Sequence, residues 1–110
     1  MKSDKYEALT LAIRQADEAA REVAAKTDDG GTCNLDTVFL VLPRYNEEKV
    51  EAAAKAAGCS ARKTVWMRTP GYFISHNGGG QADKRSAATE AMSQSLKANG
   101  FDSHVYYAMD

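Results

Sequence analysis

The chain has 110 residues, 44% of them apolar, and a formal net charge of −1 from 14 Lys+Arg against 15 Asp+Glu. This length predicts one domain, and the balanced charge excludes a protein that is strongly basic or acidic along its whole length. The apolar fraction argues against a disordered chain, and no run approaches the ~18–20 apolar residues of a membrane span. Two cysteines and an N-terminus without a signal-peptide pattern favour a cytoplasmic protein that does not contact a membrane.

Residues 1–26 have the period of an amphipathic helix. Apolar residues recur every three or four positions and form one stripe, made of Tyr6, Leu9, Ile13, Ala16, Ala20 and Val23. Asp4, with Glu7 three positions later, has the spacing of a helix N-terminal cap. Asp17 is assigned to the charged side, off the stripe, and the turn-rich segment 27–32 ends the helix.

A strand and a second helix follow. Residues 37–42 are almost all apolar or β-branched and stop at Pro43, which predicts a central strand buried on both faces. Asn46 is placed to cap a helix that runs to about Ala57 and ends at Gly58.

The next segments, 62–68 and 72–76, predict two strands joined by a turn at Pro70-Gly71. Side-chain alternation sorts these strands into two faces. One face carries Val65, Met67, Tyr72 and Ile74, and the other carries Trp66, Arg68 and Phe73.

After a glycine loop come a helix from about Ala82 to Asn99 and a strand from Ser103 to Met109. The order, one helix and then β-α-β-β-α-β, predicts an α+β fold: a ferredoxin-like antiparallel sheet with an extra N-terminal helix. In this prediction residues 1–110 form a single domain, with the helix in 1–27 and the core in 36–110. Both crossover helices cover one face of the sheet and leave the other face open.

The segment 62–85 combines positive charge with aromatic rings, as single-stranded nucleic acid requires. It has one acid and five basic residues, which are Arg62, Lys63, Arg68, Lys84 and Arg85. The interleaved rings are Trp66, Tyr72, Phe73 and His76. Segments 38–42 and 71–74 loosely resemble the two short motifs of RNA-recognition domains, which implies that nucleic acid would bind on the open sheet face. In the alternative interpretation, the N-terminal helix covers this face.

The glycine loop is a second candidate for anion binding. Gly78, Gly79 and Gly80 precede a helix whose first turns carry Lys84 and Arg85, an arrangement that can hold a phosphate. The lysine of a Walker motif is missing. Asn77, Gly80 and Ala82 resemble the acyl-CoA loop of GNAT acetyltransferases, which implies a small acyl-CoA enzyme as a lesser alternative. A flexible connector explains the same residues.

Thiol or metal chemistry has weak support in the sequence. The soft ligands are Cys33, Cys59, His76 and His104, and their spacing fits no metal motif. We therefore expect no metal and no cofactor. Whether either cysteine is reactive is left open at this stage, and a thiol enzyme stays a lesser alternative.

The N-terminal helix also predicts a protein interface. Its apolar positions follow an a/d-like pattern, and Leu11 lies off the stripe as an exposed apolar residue. The residues expected at the interface are Tyr6, Leu9, Leu11 and Ile13. Because no catalytic constellation stands out, the leading hypothesis is a small non-enzymatic binding module that contacts a protein partner or a second copy of itself. Nucleic-acid or phosphate binding through 62–85 is the main alternative.

Overall fold

The computed structural model describes residues 4–27, 36–78 and 82–106, with side chains from Lys84 onward in the last range. The helices are α1 (Lys5–Ala25), α2 (Glu47–Ala56) and α3 (Ala82–Ala98). The strands are β1 (Thr37–Val41), β2 (Ala61–Trp66), β3 (Thr69–Ile74) and β4 (Asp102–Tyr106). The elements follow one another as α1-β1-α2-β2-β3-α3-β4, so the predicted α+β class is confirmed.

The four strands form one antiparallel sheet in the order β2-β3-β1-β4. In the centre, β1 pairs with β3 through Val38↔Ile74 and with β4 through Val38↔Val105. Strand β2 lies at one edge and pairs only with β3 in the described sheet. The inner position of β1 explains why its residues after Thr37 are all apolar: the central three, Val38, Phe39 and Leu40, are buried on one face of the sheet or the other.

The main core lies between the sheet and the helices. Its fully buried residues come from all three helices and the two inner strands; the largest are Leu9, Ile13, Val38, Leu40, Val50, Ile74, Met92 and Leu96. Helix α1 packs against both α3 and α2. It therefore belongs to the helical layer, and the alternative in which it covers the opposite face of the sheet is wrong.

Gly78 fits into a narrow space between α1 and α3. A Cβ atom at Gly78 would lie 2.9 Å from the Cβ of Ala88 and 3.2 Å from the carbonyl oxygen of Ala20. The assignment of Asp17 to the exposed side of α1 is wrong, because only 4% of this residue is exposed. Asp17 is spaced four residues from Ile13, so it belongs to the stripe that faces the core.

Local signals set most of the helix ends. The Asp4 carboxylate accepts a hydrogen bond from the Tyr6 amide, and the Asn46 side chain accepts one from the Lys49 amide, as predicted for the two N-caps. Gly100 ends α3 with φ +87°, and the Phe101 amide reaches back to the carbonyl oxygen of Leu96. This 6→1 bond is the one expected where a glycine terminates a helix.

The predicted turn between β2 and β3 is wrong by two to three residues. Trp66 pairs with Thr69, so the loop consists of Met67 and Arg68, with φ of 55° and 64°. Two central residues with positive φ match the twist of a two-residue hairpin. Pro70 belongs to β3 and lies beyond the residues that pair with β1, where its missing N–H costs no ladder bond to β1.

Candidate functional site

The register separates the two faces of the sheet. Val38, Leu40 and Tyr72 point towards the helices, whereas Phe39 and Phe73 point to the other side. In the described part of the chain, no helix lies over this second face. Tyr72 is only 2% exposed and lies on the face opposite Phe73, as the side-chain alternation predicts, so of the aromatic rings in 62–85 it is one that a ligand on the open face does not reach.

Aromatic side chains gather on the uncovered face. The Phe39 ring lies 5.3 Å from that of Trp66 and 5.9 Å from that of Phe73, both edge-on. Tyr106 closes the group at 5.2 Å from both Trp66 and Phe73. We call these four residues the aromatic cluster. Phe39 is only 2% exposed because its neighbours in the cluster cover it, whereas the other three rings are partly exposed.

Apolar and charged groups surround the aromatic cluster. At the hairpin end, a hollow of about 300 Å³ lies between Phe39, Trp66 and Met67, and 78% of Met67 is exposed. The hollow also reaches β4, where Asp102 accepts a 2.7 Å hydrogen bond from the side chain of His104, and both residues are exposed.

On the other edge strand, the Arg62 guanidinium stands 5.7 Å from the centre of the Phe73 ring. A guanidinium at this distance from an aromatic ring makes a cation–π contact, which holds the side chain over the face. The face therefore carries positive charge on β2 and an acid on β4.

The basic residues predicted from 62–85 do not form one strip. Arg62 and Arg85 line the same polar cleft, at the end of the sheet where β2 begins. Arg68 lies in the hairpin at the other end of β2, where the four strand steps from Arg62 to Trp66 alone span about 13 Å. Trp66 is also at the hairpin end, and Lys84 lies on α3, where it is partly exposed.

The start of the glycine loop is tied to α1. The Asp17 carboxylate accepts two hydrogen bonds from Asn77, one from the backbone amide at 2.6 Å and one from the side-chain nitrogen at 3.1 Å. It also forms an ion pair with Arg21, whose Nε lies 3.2 Å away. The Asn77 side chain also donates to the carbonyl oxygen of Gly58. Asn77, which carries the resemblance to an acyl-CoA loop, thus uses its amide and side chain for hydrogen bonds within the chain, although the residue is exposed. Gly79 and Gly80 lie outside the described residues.

Neither His76 nor Cys59 has the environment of a reactive group. His76 Nδ1 accepts a hydrogen bond from the Gly78 amide, and Nε2 lies 2.9 Å from Thr89 Oγ1. Burial, and secondarily the charge of Arg85, lowers the pKa of His76. Burial and the neighbouring Asp17 raise the pKa of the Cys59 thiol to about 12. Cys33 lies outside the described residues.

The residues predicted for an interface on α1 are mostly internal. Leu9 and Ile13 are fully buried in the core of the chain, and Tyr6 packs edge-on against Tyr45 at 5.4 Å. Leu11 is 52% exposed and is the member of the group that a partner could reach. The surface that the fold leaves open is therefore the aromatic cluster rather than the α1 stripe.

Two contributions were missed in the sequence. Tyr106 joins the aromatic cluster because β4 lies beside β1, and Asp17 anchors the glycine loop. The spacing of Asp17 from Ile13 was a usable signal, but nothing local indicates which ring Tyr106 meets.

Within 4–27, 36–78 and 82–106, no cluster of side chains could hold a metal ion, and no helix is long and apolar enough to cross a membrane. No protein-family model, curated protein or solved structure matches the chain.

Proposed function

We propose that the chain is a small binding domain without catalytic chemistry, and that it pairs with a second copy of itself through the aromatic cluster. The observation that carries this proposal is a sheet face that none of the described helices covers, occupied by Trp66, Phe73 and Tyr106 with Arg62 and Met67 at its border. Aromatic residues, Met and Arg are the types enriched at protein interfaces.

The charges around the cluster favour a second copy as the partner. When two sheets stack about a two-fold axis parallel to the strands, β2 of each copy lies over β4 of the other. Arg62 of one copy then faces the strand of the other copy that carries Asp102 and His104, and the two-fold symmetry makes this contact occur two times in the dimer. Opposite charges at the two borders make the face complementary to itself.

The area of the uncovered sheet face indicates how tightly the two copies should bind. Four strands of five or six residues cover about 350 Å² per copy, less than the roughly 800 Å² per partner of a standard interface. The dimer should therefore be weak, and analytical ultracentrifugation from about 1 µM to 1 mM should show a monomer that gives way to a dimer. A chain that stays monomeric up to 1 mM would overturn the proposal.

A pair of aspartate variants locates the interface. Met67→Asp places a charge on an exposed side chain beside the hollow and should abolish the dimer while the monomer stays folded. Leu11→Asp, at an exposed position on α1, is the matched control and should leave the dimer intact. A dimer that persists in Met67→Asp but is lost in Leu11→Asp would show that the interface lies on α1.

Charge exchange tests the orientation of the two copies. Arg62→Asp and Asp102→Arg should each weaken the dimer, and the double variant should restore it. If the double variant stays as weak as the single ones, the two residues do not meet across the interface.

Single-stranded nucleic acid is a second candidate occupant of the same face. Arg62 over Phe73 offers a cation for a phosphate, and Trp66, partly exposed towards the hairpin end of the same face, offers a ring for a base. Retention of the chain on a single-stranded oligonucleotide at low salt, lost in Trp66→Leu, would support this candidate. Absence of retention would exclude it.

We also propose the finer fold assignment, the ferredoxin-like split βαβ arrangement. Its support is the position of β3 between β1 and β2, with α2 and α3 as the two crossover helices.

A further inference from the structure

A polar cleft of about 310 Å³ opens at the end of the sheet opposite the hairpin. It lies where β1 and β2 begin and β3 ends, next to α3. The polar side chains that line it with Asp36 are Thr37, Ser60, Arg62, Ser75, His76 and Arg85. Its volume is at the lower end of the range for small-molecule sites, about 300–1,000 Å³.

Both arginines of the cleft are held in place through contacts that leave terminal guanidinium nitrogens for a ligand. Arg85 Nε donates to the carbonyl oxygen of Asp36 at 3.1 Å, which fixes the plane of the guanidinium. Arg62 is steadied by the Phe73 ring. A preorganised guanidinium loses less conformational entropy when it binds an anion than a free one does.

The charge of the cleft is positive. His76 contributes none, because Nδ1 accepts from the Gly78 amide and the proton therefore lies on Nε2, next to Thr89 Oγ1. Among the described residues of the lining, the two arginines outweigh the carboxylate of Asp36. These residues give the cleft a net charge of +1, which favours an acidic ligand group.

We propose that this cleft binds the phosphate group of a small molecule, held between Arg62 and Arg85. Two guanidiniums on different elements present donors from two directions. A tetrahedral phosphate has enough oxygen atoms to accept from both, whereas a planar carboxylate is suited to one guanidinium fork. This inference does not depend on the dimer proposed above.

Isothermal titration with inorganic phosphate, at ionic strength held constant with chloride, tests the site. We expect saturable binding that weakens about tenfold in Arg62→Gln and in Arg85→Gln, because each variant removes one charged hydrogen-bond donor group. Lys63→Gln is the matched control, since Lys63 is next in sequence, points to the other face and does not line the cleft.

Three results would overturn the proposal: no phosphate binding at 10 mM, acetate bound as tightly as phosphate, or equal weakening in Lys63→Gln. Circular dichroism measures whether each variant is folded. If Arg85→Gln does not fold, the phosphate titration of Arg62→Gln decides the outcome. Phosphate binding that persists in monomeric Met67→Asp would separate this site from the dimer. If the parent chain binds phosphate but stays monomeric up to 1 mM, only the proposed function is refuted.

Discussion

The ring of Phe39 occupies the space in which any residue other than glycine at position 71 would place its Cβ atom. An added Cβ would lie 2.8 Å from both Phe39 Cε1 and the carbonyl oxygen of Leu40. Gly71 on β3 thus allows a large ring on β1 to lie flat against the sheet. The aromatic cluster is built on this contact, because Trp66 and Phe73 pack against the same ring.

Gly71→Ala should therefore destabilise the protein by about 1–3 kcal/mol, the usual cost of overpacking a filled site. Urea denaturation followed by tryptophan fluorescence measures the change. Phe39→Leu shortens the side chain, so Gly71→Ala should cost less in that background. An equal cost in both backgrounds would show that Phe39 is not the obstacle.

Asp17→Ala should cost about 2–4 kcal/mol, because Asp17 is buried, the Asn77 amide loses a hydrogen bond to a charged acceptor, and Arg21 loses its ion pair. Denaturant unfolding gives the value. Glu18→Ala, at the next and exposed position of α1, is the matched control and should stay within about 0.5 kcal/mol of the parent. Similar losses in both variants would contradict the anchoring role of Asp17.

Cys59 should react slowly with a thiol reagent in the folded protein. A rise of its pKa from 9.0 to about 12 leaves roughly a thousandfold less thiolate at neutral pH. The rate of modification, measured in a Cys33→Ser background with and without urea, checks this. A native rate close to the unfolded one would show that the thiol is accessible and ionised.

The same shift affects stability at alkaline pH. Folding favours the protonated thiol of Cys59. The contribution of this thiol to the free energy of unfolding is therefore complete below pH 9.0 and is lost as the pH rises towards about 12. Cys59→Ala should flatten the fall in stability over this interval. An unchanged pH profile would assign the fall to other groups.

His76 should make the protein less stable in mild acid. Burial and Arg85 lower its pKa below the ordinary 6.5, so the unfolded chain binds the proton first and stability is lost as the pH falls through 6.5. His76→Gln should reduce the slope of unfolding free energy between pH 7 and 5. His104→Gln, which removes the exposed histidine of β4, is the control. An equal reduction of the slope in His104→Gln would contradict the prediction.

Arg68→Gly should stabilise the hairpin by about 1 kcal/mol, because glycine adopts a positive φ without the steric cost that an L side chain has. Lys63→Gly, in β2, should have the opposite sign, since glycine weakens a regular strand. Thermal unfolding separates the two. If both variants lower the melting temperature, the turn does not have the described conformation.

Local chemistry in the sequence was enough to place the helix caps at Asp4 and Asn46, the end of α3 at Gly100 and the strand at β1. These features depend on residues within one or two turns of each other. The alternation that separates Trp66 and Phe73 from Tyr72 is equally local, and the strand pairs confirm it.

Tertiary structure alone decided the position of α1 in the helical layer, the choice of Met67-Arg68 as the turn, and the pairing of Asp17 with Asn77. The amphipathic stripe of α1 shows that this helix packs on an apolar surface. Because both faces of the sheet are apolar, the stripe does not show on which side of the sheet α1 lies. Pro70-Gly71 is a strong turn signal, yet Gly71 is needed in the strand because Phe39 lies over it. The near-neutral charge of the chain excluded a wholly basic binder; only the fold brought Arg62 and Arg85 to one cleft and left Arg68 at the other end of the sheet.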